Sequence, residues 1–412
     1  MRAEIISVGT ELLLGQIVDT NAAYIARELA ELGIDIFFKQ TVGDNPGRIQ
    51  DAVRLAMSRA DAIIMTGGLG PTEDDLTVEA VAAALGEELV HNQEVAAHIK
   101  RFFETRGRVP PDSVFKQALV PRTAQVIPNA RGTAPGVHFD RDGHMIFMMP
   151  GVPFEMDGMM RDYVLPHLRE RTTGAVIRSV VLRVTGEGES AVEARIKDLI
   201  RGTSPTVAPY AKLGEVHLRV TAKGSPEEVA GQLSRGVALV RERLGELVYG
   251  TDSETLEDVV AGMLTSKRLT IAVAESCTGG LLAQRLTNVP GSSAYFVEGV
   301  VAYSNDAKVD VVGVDPGLIE THGAVSAPVA EAMAEGIRAR VRTDLGVSIT
   351  GVAGPSGGTA EKPVGLVFIG LTSSRGVLHR RLAFGSEPGR QGIRHLASQA
   401  ALNLIRLQLL RA

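Results

Sequence analysis

The chain runs to 412 residues, too many for one ordinary hydrophobic core, so two or three domains are expected. Apolar residues make up 44% and charged residues 22%, which excludes a disordered chain. A formal net charge of −5 gives no general pull towards nucleic acid or an anionic membrane. The single cysteine, Cys277, excludes an internal disulfide and a cysteine-built zinc cage, and 4% aromatic content with no Trp argues against a base-stacking platform. No apolar run reaches membrane-spanning length. Glu4 and Glu11 interrupt the opening stretch, which reads as a first strand and not a signal peptide, so the expected location is cytoplasmic.

The first block, residues 1–170, alternates strand and helix patterns. Strands are predicted at Glu4–Val8, Ile34–Val42, Asp61–Thr66 and Met145–Met149, and helices at Asn21–Leu32, Pro46–Ser58, Leu76–Leu85 and Pro153–Leu168. Such alternation gives a largely parallel sheet covered on both faces. Block two, residues 174–250, has strand patterns at Val176–Val184 and Glu215–Ala222 and helical patterns at Ala191–Ile200 and Glu227–Leu244. The third, residues 253–412, returns to alternation. Its strands are expected at Leu269–Ala274, Tyr295–Tyr303, Val347–Thr350, Gly365–Leu371 and Val377–Phe384, before a final helix from about Arg390 to Leu410. The polar, glycine-containing stretches Arg171–Gly174 and Tyr249–Ser253 read as linkers.

Four segments of the first block carry site-like residues: Gly9-Thr10-Glu11, Thr66–Asp75 (TGGLGPTEDD), Arg131–Gly136 and Pro150–Glu155. Three of them follow predicted strands, so they open on one sheet edge, where glycine-rich turns bind phosphate oxygens through backbone amides. The carboxylates of Glu11, Asp74, Asp75 and Glu155 would repel a diphosphate unless a divalent cation such as Mg²⁺ or Mn²⁺ bridged them. Thr72-x-x-Asp75 also reads as a plain capping box.

In the third block, AESCTGG at Ala274–Gly280 places Ser276 at a strand-to-helix turn. A serine presented there, with glycines letting backbone N–H groups approach a ligand, suits acyl transfer. A serine that merely caps the following helix is the alternative.

GTELLLGQIVDTN at Gly9–Asn21, TGGLGPTEDDLT at Thr66–Thr77 and MPGVPFEM at Met149–Met156 resemble the N-terminal domain of the CinA family, which is similar to the molybdopterin-binding MoaB/MogA fold. The resemblance implies metal-dependent hydrolysis of ADP-ribose to AMP and ribose 5-phosphate, with Mg, Mn or Co as the cation. It would place Gly9, Thr10, Gly67, Gly68, Gly70 and Gly151 against the ligand, with Lys116 as a phosphate contact. Asp74 and Asp75 would serve the metal or the attacking water, and Glu11, Asp75 and Glu155 would hold the metal.

AESCTGG, YSNDAK at Tyr303–Lys308, TGVAGPSGG at Thr350–Gly358 and KPVG at Lys362–Gly365 resemble the CinA C-terminal domain, which is similar to PncC-type nicotinamide mononucleotide (NMN) amidohydrolases. That likeness implies deamidation of NMN to nicotinate mononucleotide and ammonia by a Ser276–Lys308 pair, without a cofactor. Lysine can act as the base only if its pKa falls well below its ordinary ~10.4. Tyr303 would steer the proton between Lys308 and Ser276. Thr350 and the amides after it would hold the carboxamide oxygen, and Arg390 would take the 5′-phosphate. Thr278, Gly279, Gly280, Gly351 and Gly354 would complete the substrate contacts. Lys308 as an exposed helix lysine, Tyr303 as a strand residue and Arg390 as a surface charge are the plainer alternatives.

Residues 174–250 resemble the small KH-like domain of full-length CinA proteins. They lack a GxxG backbone clamp, and Glu187 and Glu189 put acid where a phosphate clamp needs base, so a spacer or dimer contact is expected and no nucleic-acid role. The fold expected is therefore two three-layer α/β/α domains joined by a KH-like α+β domain. The function expected is a bifunctional pyridine-nucleotide salvage enzyme whose partners are small nucleotides, with no membrane or nucleic acid, working as a homodimer. A competence- or damage-associated adaptor, or a binder of a molybdopterin-like ligand without turnover, is the second reading.

Overall fold

The computed structural model describes residues 1–172 and 174–411; Thr173, within the expected linker Arg171–Gly174, lies outside the described residues. The chain divides into two compact units, Met1–Arg178 with Ala222–Gln232, and Ser179–Thr221 with Leu233–Ala412.

The first unit is built on a six-stranded sheet among the described residues. Its strand order is Asp35–Val42, Arg2–Val8, Ala62–Thr66, His144–Met149, Gly136–Arg141 and Gln125–Ile127. The first four strands run parallel and the last two join through antiparallel pairings, so only Gly136–Arg141 runs against the rest. Each residue of AIIMT at Ala62–Thr66 is buried, as a central strand covered on both faces requires. Alternate side chains serve two cores. Ile5 and Ile64 pack with Ile25 and Leu29, while Ile6, Ile63 and Met65 pack with Ile49, Val53 and Val81. That arrangement is three layers. The helix expected over Pro153–Leu168 instead passes through a π turn at Met160–Val164 before Leu165–Glu170. Pro166 lacks the N–H that would close the regular ladder there.

The second unit contains a five-stranded sheet ordered Phe296–Val301, Ile271–Glu275, Leu345–Gly351, Leu366–Ser373 and Gly376–Ala383. The first three are parallel, and the last two join through antiparallel pairings, so only Leu366–Ser373 runs against the rest. Ile271 and Val273 face one core, and Ala272 and Ala274 face another with Val329, Met333 and Ile337. Those last three belong to the helix Ala327–Val341, which strand-and-turn reading left out although its apolar residues recur every three or four positions. The residues between the two large sheets form a four-stranded sheet with the helices Glu189–Ile200 and Pro226–Leu244. The hairpin partner Thr206–Lys212, also unanticipated, is largely exposed and so carries little apolar signal. No described helix is long and apolar enough to cross a membrane.

Candidate active sites

The three adjacent parallel strands of the first sheet end at Val8, Thr66 and Met149, and their following loops enclose a cavity of about 480 Å³. Gly9, Glu11, Gly67, Gly68, Gly70, Asp74, Asp75, Gly151 and Glu155 line it, so nine of the expected residues converge on one edge. Gly67 takes φ +101°, and a Cβ there would overlap the Val8 carbonyl oxygen; only glycine lets these loops meet.

Two expected contacts are otherwise engaged. The Thr10 N–H and hydroxyl both donate to Asp44, at 2.9 and 2.8 Å, so Thr10 holds a loop while Asp44 faces the cavity. Lys116 Nζ donates to the carbonyls of Thr72 (3.0 Å) and Asp75 (2.6 Å) and pairs with Glu79 (3.3 Å). It shapes the acidic turn and does not reach into the cavity. The capping-box reading also falls. Asp75 accepts the Thr72 N–H and hydroxyl, at 2.9 and 2.5 Å, but the helix starts only at Thr77, with Leu76 as its uncapped N-cap. Thr72 also holds the Asp74 carboxyl below its ordinary range.

Glu11, Asp75 and Glu155 line one cavity without forming a ready-made metal cluster: among the described residues no three His, Cys, Asp or Glu side chains gather as ligands. The Glu155 carboxylate accepts from Asn129 Nδ2 at 2.6 Å. Asp19, Asn21 and Gln117 line the cavity as well and were missed. Asp19 both N-caps its helix and accepts from Ser7, and nothing in spacing alone separates such a cap from a wall of a site.

The second sheet repeats the arrangement. The middle of its three parallel strands ends at Glu275, and Ser276 begins the turn to the helix Leu281–Thr287. Gly279 and Gly280 take φ +59° and +90°, which the turn needs and a branched side chain resists. Ser276 does not cap the helix. The buried Glu275 carboxylate does so, accepting the N–H groups of Leu282 and Ala283 at 3.1 and 2.8 Å. The Thr278 and Gly280 amides find no acceptor among the described residues, whereas the Cys277 N–H turns to its own sulfur.

Lys308 is 2% exposed, in the short helix Asn305–Asp310 that follows the neighbouring parallel strand. Its Nζ stands 3.2 Å from Ser276 Oγ and donates to the carbonyls of Ala302, Tyr303 and Ser304 at 3.0, 3.1 and 3.3 Å. Burial lowers its pKa from the ordinary lysine value. Cys277, beside the serine, is pushed up to about 12 by burial and stays a thiol.

Other expectations need correction. Tyr303 presents only its backbone carbonyl to Lys308; its exposed hydroxyl accepts from Arg390 at 2.8 Å, so it does not link lysine and serine. The Thr350 hydroxyl is buried and donates to the Ala324 carbonyl at 2.8 Å, leaving no hydrogen for a carboxamide. Gly351 closes its strand, and the Gly354 carbonyl accepts from Arg390 at 2.8 Å. Arg394, not anticipated, donates twice to the Thr278 carbonyl, at 3.1 and 2.7 Å, from one helical turn beyond Arg390. An Arg at i+4 in a long final helix carries no sequence signal of its own.

Residues 4–170 match the "Probable molybdopterin binding domain", residues 179–250 the "Damage-inducible protein CinA KH domain" and residues 253–409 the "CinA C-terminal domain". The chain is 48% identical over 412 residues to a CinA-like protein of Dictyoglomus thermophilum, covering 100% of both chains. It is 47% identical over 412 residues to the CinA-like protein of Dictyoglomus turgidum, again across 100% of both. Among solved structures, the competence/damage inducible protein CihA from Agrobacterium tumefaciens is 43% identical, covering 37% of this chain and 93% of its own, with a TM-score of 0.36. End-to-end identity of this order, with all three domains matched in sequence, makes the chain a member of the CinA family.

Proposed function

We propose that the second unit is a serine–lysine amidohydrolase acting on NMN. The observation that carries this reading is the 3.2 Å approach of a buried, depressed lysine to a serine at a strand-to-helix turn. Neutral Lys308, keeping two of its three carbonyl contacts, turns its lone pair to Ser276 and takes its proton as Oγ attacks the carboxamide carbon. The developing oxyanion lies towards the unpartnered amides of the turn, which would stabilise it without reorganising. Lys308 then returns the proton to the departing nitrogen, ammonia leaves, and water hydrolyses the ester on Ser276. Arg390, exposed and oriented by its bonds to Gly354 and Tyr303, would receive the 5′-phosphate. Ammonia release from NMN should be measured for the full chain beside Ser276→Ala and Lys308→Ala. Loss in both variants is the expected result; undiminished release in either excludes the pair.

The first unit is proposed to hydrolyse ADP-ribose. Its cavity wall offers oxygen donors from Glu11, Asp44, Asp74, Asp75 and Glu155 without a basic partner reaching in, which fits a hard divalent cation arriving with a diphosphate. Such an ion, held by Asp75 and Glu11 or Glu155, would neutralise phosphate charge and lower the pKa of a bound water. The glycine turns at Gly67–Gly70 and Gly151 hold the phosphates through their backbones, and Lys116 keeps the Thr72–Asp75 turn in place. A cytoplasmic homodimer serving pyridine-nucleotide salvage completes the proposal.

A further inference from the structure

The helix that closes the Ser276 turn is held at its far end by groups the proposed reaction does not use. Arg285, 7% exposed, donates through Nε to Glu257 at 2.5 Å, through Nη1 to Ser398 Oγ at 2.8 Å and through Nη2 to Gln399 Oε1 at 2.5 Å. Gln399 Nε2 donates onward to Glu215 Oε1 at 2.7 Å. That oxygen also accepts the Tyr249 hydroxyl at 2.7 Å, and its twin accepts from the His217 ring at 2.7 Å. Glu215 opens the strand Glu215–Gly224 of the middle segment, whereas Arg285 lies four residues after Leu281, where the active-site helix begins. Ser398, Gln399, His217 and Tyr249 are all buried. Although burial opposes it, hydrogen bonds from Tyr249 and His217 bring the Glu215 carboxyl below its ordinary range, so the relay ends on a carboxylate. In such a place each missing partner leaves another group unpaired, and the members act together.

We infer that the middle segment is a working part of the amidase half: Glu215, through Gln399 and Arg285, positions the helix that closes the Ser276 turn. Glu215 and Arg285 are thus positioning residues, not catalytic ones. The inference rests on the amidase reading for its effect on turnover, but not for its geometry. It also gives the middle segment a task that needs no nucleic acid.

Cys277 supplies a readout independent of activity. It is the chain's one cysteine, 6% exposed, adjacent to Ser276 and unreactive while buried. Iodoacetamide labelling of Cys277 in the full chain, far below the unfolding transition of each variant, therefore reports opening of the turn. Glu215→Ala and Arg285→Ala should each speed labelling by about tenfold or more, and the double variant should be no faster than the faster single. Gln399→Leu cuts the relay at its middle with little change of volume and should match them, covering the case where Glu215→Ala fails to fold. Arg195→Ala, in the same segment but outside the relay, should leave the rate unchanged. In parallel, kcat for ammonia release should fall in the same order while KM for NMN changes less. Unmoved labelling in the single variants, or effects that multiply in the double, overturns the inference. Ammonia release by wild type with unmoved labelling defeats positioning alone. Accelerated labelling of the variants, with a wild type inactive on NMN, sustains positioning and defeats the amidase reading.

Discussion

The two sheet edges share a plan and differ in what they finish. In both, three parallel strands end together and glycine turns bring backbone amides to the opening. Around Ser276 the proposed chemistry is assembled inside the protein: Lys308, the proposed base, is buried, its Nζ stands 3.2 Å from Ser276 Oγ, and it contacts three carbonyls. Around Asp75 the walls carry carboxylates with no basic side chain among the lining residues, and no metal-ligand trio forms among the described residues. A site of buried side chains can be built before its substrate arrives because burial does the tuning. An acidic cavity is completed by what enters it.

Several substitutions would sharpen or break that contrast. Ser276→Ala should lower kcat/KM for NMN by about 10³-fold or more, while ADP-ribose hydrolysis by the same preparation stays unchanged. A shared loss would mean the two edges are not separate sites. Asp75→Asn should weaken the cation dependence of ADP-ribose turnover by about tenfold to a hundredfold, read as a shifted metal titration with NMN turnover unaffected. Arg390→Gln should raise KM for NMN by about tenfold or more and barely alter nicotinamide riboside, which lacks the phosphate. An equal effect on both would move the phosphate elsewhere.

The pH profile adds a signed test. The base must be neutral, and burial has lowered the Lys308 pKa, so kcat/KM for NMN should rise with pH on a limb below the ordinary lysine value of ~10.4. A limb at or above that value would show that Lys308 is not tuned by its surroundings. The smallest effect is expected from Lys116→Met, which removes two carbonyl contacts from the acidic turn and should cost severalfold in ADP-ribose turnover, about 1 kcal/mol.

Much of this was legible in the residues. Short buried runs such as Ala62–Thr66 and Ile271–Glu275 announce central strands, and glycines directly after them announce the loops of a site. The resemblance to the CinA C-terminal domain paired Ser276 with Lys308 although 32 positions separate them. What stayed hidden were pairings decided by side-chain direction. Thr10 turning to Asp44, Lys116 to two carbonyls and Tyr303 to Arg390 are each settled by atoms far along the chain. Glu275 was hidden differently: inside the motif, its carboxylate performs the capping that spacing assigned to Ser276. Edge strands such as Thr206–Lys212 were missed because a half-exposed strand repeats no strong apolar pattern.

The most direct measurement takes one preparation of the full chain and follows ammonia from NMN and AMP from ADP-ribose, with and without a strong chelator of divalent cations. The account predicts that chelation leaves ammonia release intact and abolishes AMP formation, with AMP formation restored by added Mg²⁺ or Mn²⁺. Ammonia release that vanishes with the chelator, or AMP formation that ignores it, would contradict the division between a site built from buried side chains and one completed by its ligand.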